Sequence, residues 1–345
     1  MIAERLAGHA AALVAGGRGL VALDEPARSH RFALLELPDT AELRRAWRDL
    51  VLDAPGLERY AGGAILSDAS IRGTTIGGGS VVGSLRARGI VPGVALDAGS
   101  APLATGSDEL VTEGLDGLRR RLTEYALFGV GCATWRARFR AGPSDRAIAA
   151  NAQALARSAA LCQEHGIVPV LEIELSDEGA HDLASAARST ERVLRRLIAE
   201  LARNHVDLGA LLLAPTMIAA GRAAGEPAET NEIVAQTLRV LGATVPVAVA
   251  GIAFLADGVA PALAAERLCA LNRAMPRRRP WPLTFSYGPT LRRVTLDAWR
   301  GRADRLADAR RIFLHRTACA SAAACGAYHA KLEEHVAALA ASRAA

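Results

Sequence analysis

Eight short, nearly continuous apolar runs recur along the chain, each followed by a longer stretch, and this alternation limits the fold more than any other feature. The runs are LVALD (20–24), AILS (64–67), GVALD (93–97), ATWRARF (133–139), VPVLEIE (168–174), ALLLAP (210–215), VAVAGIAF (247–254) and PLTFSYG (282–288). They are too continuous to be half-exposed strands, so each reads as a strand buried on both faces. Between them lie helical patterns such as RAIAANAQALARSAALCQEHG, which ends in Gly166, and ASAARSTERVLRRLIAELARNH. Parallel strands separated by helices predict the α/β class, as a (β/α)₈ barrel with extra terminal helices. The 345 residues suit one such barrel, and no linker divides them, so a single domain over 1–345 is expected.

Composition narrows the partners. Net charge is only +5, the arginines are scattered, and the densest basic run, Arg277-Arg278-Arg279, has no aromatic interleaving beyond Trp281. Nucleic acid is therefore not an expected partner. The longest uncharged run, VLGATVPVAVAGIAFLA, contains Pro246, Gly251 and β-branched residues, and reads as a loop feeding a buried strand instead of a membrane span. The N-terminal MIAERLAGHAAALVAGG reads as an amphipathic helix without the segments of a secretory signal. Cys132, Cys162, Cys269, Cys319 and Cys325 are odd in number, as expected of free core thiols in a reducing cytoplasm. Lys331 is the only lysine, so 40 of the 41 basic residues are arginines, a bias that with the alanine richness suggests a GC-rich bacterial genome.

In a barrel of this kind the chemistry sits at the carboxyl ends of the strands. Those ends supply Asp24 and Glu25, Ser67, Asp97, Arg136, Glu172 and Glu174, then Ser286 and Tyr287. Glu172 and Glu174 are two apart in LEIEL and so share one strand face. One explanation is salt bridging to Arg136 or Arg138 on the preceding strand. The other is an acid–base pair, in which neighbouring carboxylates raise each other's pKa towards a useful range. His315, Cys319, Cys325 and His329 have a ligand-like look, but their spacing matches no zinc pattern and core thiols are the better reading. IGGGS (76–80) lacks the Gly-Lys-Ser/Thr ending of a nucleotide loop and reads as a turn before a helix.

RGLVALDE (18–25), GLDGL (114–118), WR (135–136), GIVPVLEIEL (166–175), HDL (181–183), TVPVAVAGIAFL (244–255), PLTFSYG (282–288) and TLDAW (295–299) together, in this order, resemble the class I fructose-bisphosphate aldolases. The resemblance implies a barrel often assembled as a tetramer, so a homo-oligomer, dimer or tetramer, is expected, together with a small-molecule substrate. It also implies reversible aldol cleavage through a lysine Schiff base, without a metal. By the same resemblance Asp24, Glu172, Glu174 and Arg136 occupy catalytic positions; His30, in RSHRF just beyond Asp24, departs from the family pattern and is either a substitute acid or base or a surface loop residue. The positions that the resemblance gives to active-site lysines hold Ala95, Thr134 and Ala214. The phosphate loops are altered too, with Ala256 and Asp257 after the seventh strand and Pro289 after the eighth, where proline donates nothing and aspartate repels anions.

These departures predict a diverged enzyme without the Schiff-base amine. Its substrate contacts are expected at Ser67, Asp97, Thr134, Ala214, Asp257, Ser286 and Tyr287. With the balancing lysines gone, Asp24, Glu172 and Glu174 need protonation, a bound metal or a cationic substrate. The main expectation is imine-forming, cyclising or aldol-type chemistry on an unphosphorylated, amine-bearing small molecule in bacterial specialised metabolism, with classical fructose-bisphosphate cleavage improbable. The alternatives are a catalytically silent binding protein and a metal-dependent lyase. No cofactor is expected, unless a Mg²⁺-like or Mn²⁺-like ion is held by Asp24, Glu172 and Glu174.

Overall fold

The structure is a computed structural model and describes residues 2–23, 32, 35–225, 228–275 and 280–334. Strands β1 (Gly19–Ala22), β2 (Ala61–Leu66) and β3 (Val91–Ala95) are followed by two short strands, β4 (Ser100–Pro102) and β5 (Leu110–Thr112). Then come β6 (Cys132–Phe139), β7 (Val168–Leu175), β8 (Leu212–Pro215), β9 (Gly251–Phe254) and β10 (Leu283–Tyr287). All but β4 and β5 close into an eight-stranded barrel in the order β1-β2-β3-β6-β7-β8-β9-β10, every pairing parallel. The (β/α)₈ fold expected from the alternation is the fold observed.

The helices are α1 (Ile2–Val14), α2 (Ala41–Leu52), α3 (Asp68–Ile71), α4 (Val81–Ala87), α5 (Leu118–Phe128) and α6 (Asp145–Glu164). After them come α7 (Leu183–Arg203), α8 (Thr230–Thr244), α9 (Pro261–Ala274), α10 (Pro289–Trp299) and α11 (Leu306–Ala324). Local chemistry sets their ends. Ser144 and Asp182 cap α6 and α7 by accepting from the Ala147 and Ser185 amides. Just beyond α6, Gly166 takes φ +70°, where a side chain would be strained.

Two differences from the sequence reading have plain causes. The run VAVAGIAF is strand only from Gly251, because Pro246 opens a turn closed by Val249 N–H donating to its carbonyl, and this leaves Val247 exposed. The β4–β5 hairpin was not anticipated, since three-residue strands carry no readable period.

The core has two parts. Residues on the outer faces of the strands pack against the helices, with Trp47, Trp135, Phe254, Phe285 and Phe313 among the largest buried there. A second, smaller cluster fills the barrel's amino-terminal end. It joins Leu6, Ala10, Leu13 and Val14 of α1 with Leu20, Ile65, Cys132, Val168, Val170, Leu212 and Ala253, and extends up the barrel to Ala214. The amphipathic N-terminal helix is thus a plug. It seats so closely that a Cβ on Gly62 would lie 2.0 Å from the Leu13 carbonyl oxygen. That neighbour is backbone and cannot swing aside, so Gly62→Ala should lower stability by about 1–3 kcal/mol, the usual cost of overpacking. A denaturant midpoint that falls at unchanged slope checks this.

Candidate active site

The plug fixes which end of the barrel is open. On β6 the residues facing inward are Cys132, Thr134 and Arg136, and on β7 they are Val168, Val170, Glu172 and Glu174; the first of each set are apolar and lie over α1. The polar members therefore stand at the carboxyl end. In register, Arg136 pairs with Glu172 and Arg138 with Glu174 across β6 and β7, while Ala214 of β8 pairs with Glu172 on the other side.

The side chains converge on Arg136. Its Nε donates to Glu172 Oε2 at 2.6 Å, and its Nη1 donates to Asp257 Oδ2 at 2.9 Å and to Glu174 Oε2 at 3.4 Å. Arg138 adds a 2.9 Å ion pair to Glu174. Glu172 is 5% exposed. Burial pushes its carboxyl up from the ordinary carboxylate range, Arg136 pulls it back, and the charges of Asp257 and Asp97 push with burial, leaving it raised. The Glu172 charge in turn holds the Arg136 guanidinium firmly protonated.

This corrects the expectation of stranded carboxylates. Glu172 and Glu174 have not lost their counter-charge, because the two arginines of the R-x-R pattern on β6 face the E-x-E pattern on β7. No cationic ligand is needed to balance them. Glu172 Oε2 and both Glu174 oxygens are engaged by guanidinium groups, and Asp24, the third ligand expected for a divalent ion, lies outside the described residues.

The other anticipated positions separate. Thr134 is 3% exposed, in register with Ala95 on β3 and Val170 on β7. Ala95 itself is exposed, so the barrel is open to solvent at this edge, whereas Ala214 is fully buried. Asp97 lies close enough for its charge to act on Glu172, and it accepts from the Gly99 amide. Ser286 points inward and is 3% exposed. Ser67 caps α3, accepting from the Ser70 amide, and borders a separate cleft of about 350 Å³ with Arg44, Arg45 and Arg48. Tyr287 is excluded from the lumen by strand parity. It is 1% exposed and its hydroxyl donates to the Ala264 carbonyl of α9, outside the barrel. Asp24 and His30 lie outside the described residues.

A cavity of about 490 Å³ leads off the cluster from Glu174 and Asp257, between the loops after β7, β8 and β9. Its wall includes Arg267 of α9, which the sequence reading missed. The signal was there: Leu263, Ala264, Arg267, Leu268 and Leu271 make an i, i+3, i+4 stripe, with one arginine among apolar residues. The sequence pairing of His315 and Cys319 with Cys325 and His329 is not formed. Cys325 and His329 are exposed, and the third member of the group near His315 and Cys319 is Glu333, whose oxygens are taken by Tyr328 and Arg316.

The comparison with known proteins now bears on this geometry. The family model described as fructose-bisphosphate aldolase class-I matches residues 5–343. The chain belongs to the class I fructose-bisphosphate aldolase family. It is 42% identical over 304 residues to a protein of Xylella fastidiosa named probable fructose-bisphosphate aldolase class 1, covering 87% of this chain and 90% of that one. To the cytosolic fructose-bisphosphate aldolase 4 of Arabidopsis thaliana it is 37% identical over 94% of this chain and 83% of the other. A ternary co-crystal structure of the Plasmodium falciparum fructose-bisphosphate aldolase superposes with a TM-score of 0.92 at 35% identity, over 95% of this chain and 96% of that chain.

These relatives overturn two expectations: that the substrate is unphosphorylated and amine-bearing, and that the chemistry is other than fructose-bisphosphate cleavage. Family membership extends over the whole barrel, and a few changed positions at the strand ends do not outweigh it. Among the described residues no helix is long and apolar enough to cross a membrane.

Two consequences can be measured. Because Glu172 holds its proton more tightly folded than unfolded, its contribution to stability is full below about pH 4.5 and declines as pH rises through the raised folded value. Glu172→Gln should flatten that decline in denaturant midpoints taken from pH 4 to 8. Arg136→Met should cost about 2–4 kcal/mol at pH 7, the guanidinium being partly open to water, by leaving Glu172 and Asp257 uncompensated while Glu174 keeps Arg138. The same loss should shrink at pH 4, where Glu172, its carboxyl raised by burial, carries its proton.

Proposed function

We propose that the chain is a lyase that reversibly cleaves the C3–C4 bond of a phosphorylated ketose, with fructose 1,6-bisphosphate the substrate to test first. The reading is supported above all by the relatives named for that substrate, at 36–42% identity over most of the chain. The Arg136–Glu172–Glu174–Asp257 cluster is the set of groups that such a cleavage could use.

Retro-aldol cleavage needs a base to take the C4 hydroxyl proton, an electron sink at the C2 carbonyl, and a proton returned to C3. When the C3–C4 bond breaks, its electron pair moves onto the C2 oxygen. In this reading Glu174, ion-paired with Arg136 and Arg138, is the base. Glu172, whose raised pKa keeps a proton available, and the Arg136 guanidinium beside it face the developing oxyanion. Glu172 then supplies the proton that C3 receives.

The sink is where this chain differs from the lysine imine that its resemblance implies. Lys331 is its only lysine. It is exposed, and it follows Tyr328, whose carbonyl accepts from Arg273 at the end of α9 below the barrel. An enolate held by Arg136 and Glu172 takes the place of the enamine. The homo-oligomer and the cytoplasmic setting expected from the sequence belong to the same reading.

Fructose 1,6-bisphosphate cleavage by the purified chain is the direct test. Triose phosphate release should be detectable, unaffected by borohydride and by a chelator, and reduced at least about a hundredfold in Glu172→Gln. Release of no triose phosphate overturns the reading. Loss on borohydride treatment would replace the enolate by an imine, and loss on chelation would replace the arginine by a metal ion. Ala214→Lys, which sets an amine beside Glu172 in register, should make cleavage borohydride-sensitive. Light scattering on the same preparation reads the subunit number.

A further inference from the structure

The cavity beside the cluster contains an imbalance of charge. Its carboxylates are matched: Glu174 by Arg136 and Arg138, Asp257 by Arg136, and Asp177 by Arg222 at 2.7 Å. Arg267 is not matched. Its Nε is buried without a hydrogen-bond partner, and among the described residues it makes no ion pair. Its nearest charged influence is Glu266, its chain neighbour, which bonds instead with Thr230.

Arg267 is half-buried, its unpartnered Nε out of reach of water, which is costly, and burial pulls its pKa down from the ordinary arginine value. Helical side chains lean towards the helix amino terminus. For α9 that is the end nearest the strand carboxyl termini, so Arg267 reaches up into the cavity that it lines. Around it the walls are mostly apolar, with Met217, Ile233, Leu255, Val259 and Leu263. The volume, about 490 Å³, is that of a small-molecule site.

We propose that this cavity is a binding site for an amphipathic oxyanion, a phosphate monoester or carboxylate with an apolar body, whose head group pairs with Arg267. The guanidinium supplies forked donors for the head group, and the apolar walls supply the area for the body. An occupant lies against Asp257, one of the three carboxylates on Arg136, so the site adjoins the cluster without being part of it. The proposal does not depend on the cleavage reaction.

Calorimetric titration of the intact protein with hexyl phosphate, hexanoate, inorganic phosphate and hexanol tests it. Hexyl phosphate or hexanoate should bind more tightly than both inorganic phosphate and hexanol, and whichever of the two binds better identifies the head group. Arg267→Met should weaken that binding at least about tenfold, the worth of a charge-assisted hydrogen bond, whereas Arg302→Met, in an exposed ion pair outside the cavity, should leave it within about twofold. Arg267→Lys should restore part of it. The unliganded Arg267→Met protein should melt no lower than the parent, since an unpartnered cation has been removed. Equal affinity in Arg267→Met and the parent overturns the proposal, as does equal affinity for hexanol, or a fall in melting temperature that reveals a structural partner for Arg267. Fructose 1,6-bisphosphate cleavage is read separately, so failure of either reading leaves the other measurable.

Discussion

Everything at the open end of this barrel is arranged around one guanidinium. Arg136 is held by carboxylates from β7 and from the loop after β9, and it binds elements distant in sequence into one rim. Coulombic attraction in a partly dehydrated setting is worth more than at a surface, but only while every partner is present. The cluster is therefore both a structural clasp and a reservoir of perturbed acidity. Glu172 is acidic enough to pair with Arg136 and buried enough to resist full ionisation.

The barrel was legible because buried parallel strands leave long apolar runs that local composition does not blur. All eight runs became strands, and the one that was over-extended, VAVAGIAF, failed at a proline that the chain displays openly. The hairpin of β4 and β5 was invisible because its strands are shorter than any period. The helix over the amino end was visible as a helix, but nothing in its sequence said that its apolar face would close a barrel. That depends on packing against residues two hundred positions away, such as Leu212.

The site was legible in part. The pairing of Arg136 and Arg138 with Glu172 and Glu174 follows from two adjacent strands whose alternate residues carry opposite charge, and salt bridging was one of the two explanations weighed. Treating those carboxylates as stranded ignored that register. Tyr287 was open to the same parity rule, since it and Ser286 cannot both face the lumen. Arg267 lies on a helix, where the apolar stripe tells which face it shares but not that a cavity opens above that face. Substrate identity was beyond local chemistry, and three altered positions were given more weight than agreement over the rest of the barrel.

The plug beneath the barrel makes the reaction chamber a cup with a single opening. In the proposed cleavage a molecule split at the Arg136 cluster departs as two fragments by the route it came, and the one nearer the cluster follows the one nearer solvent. The order of product departure is then a property of architecture and not of affinity alone, and the reverse reaction inherits it as an order of filling.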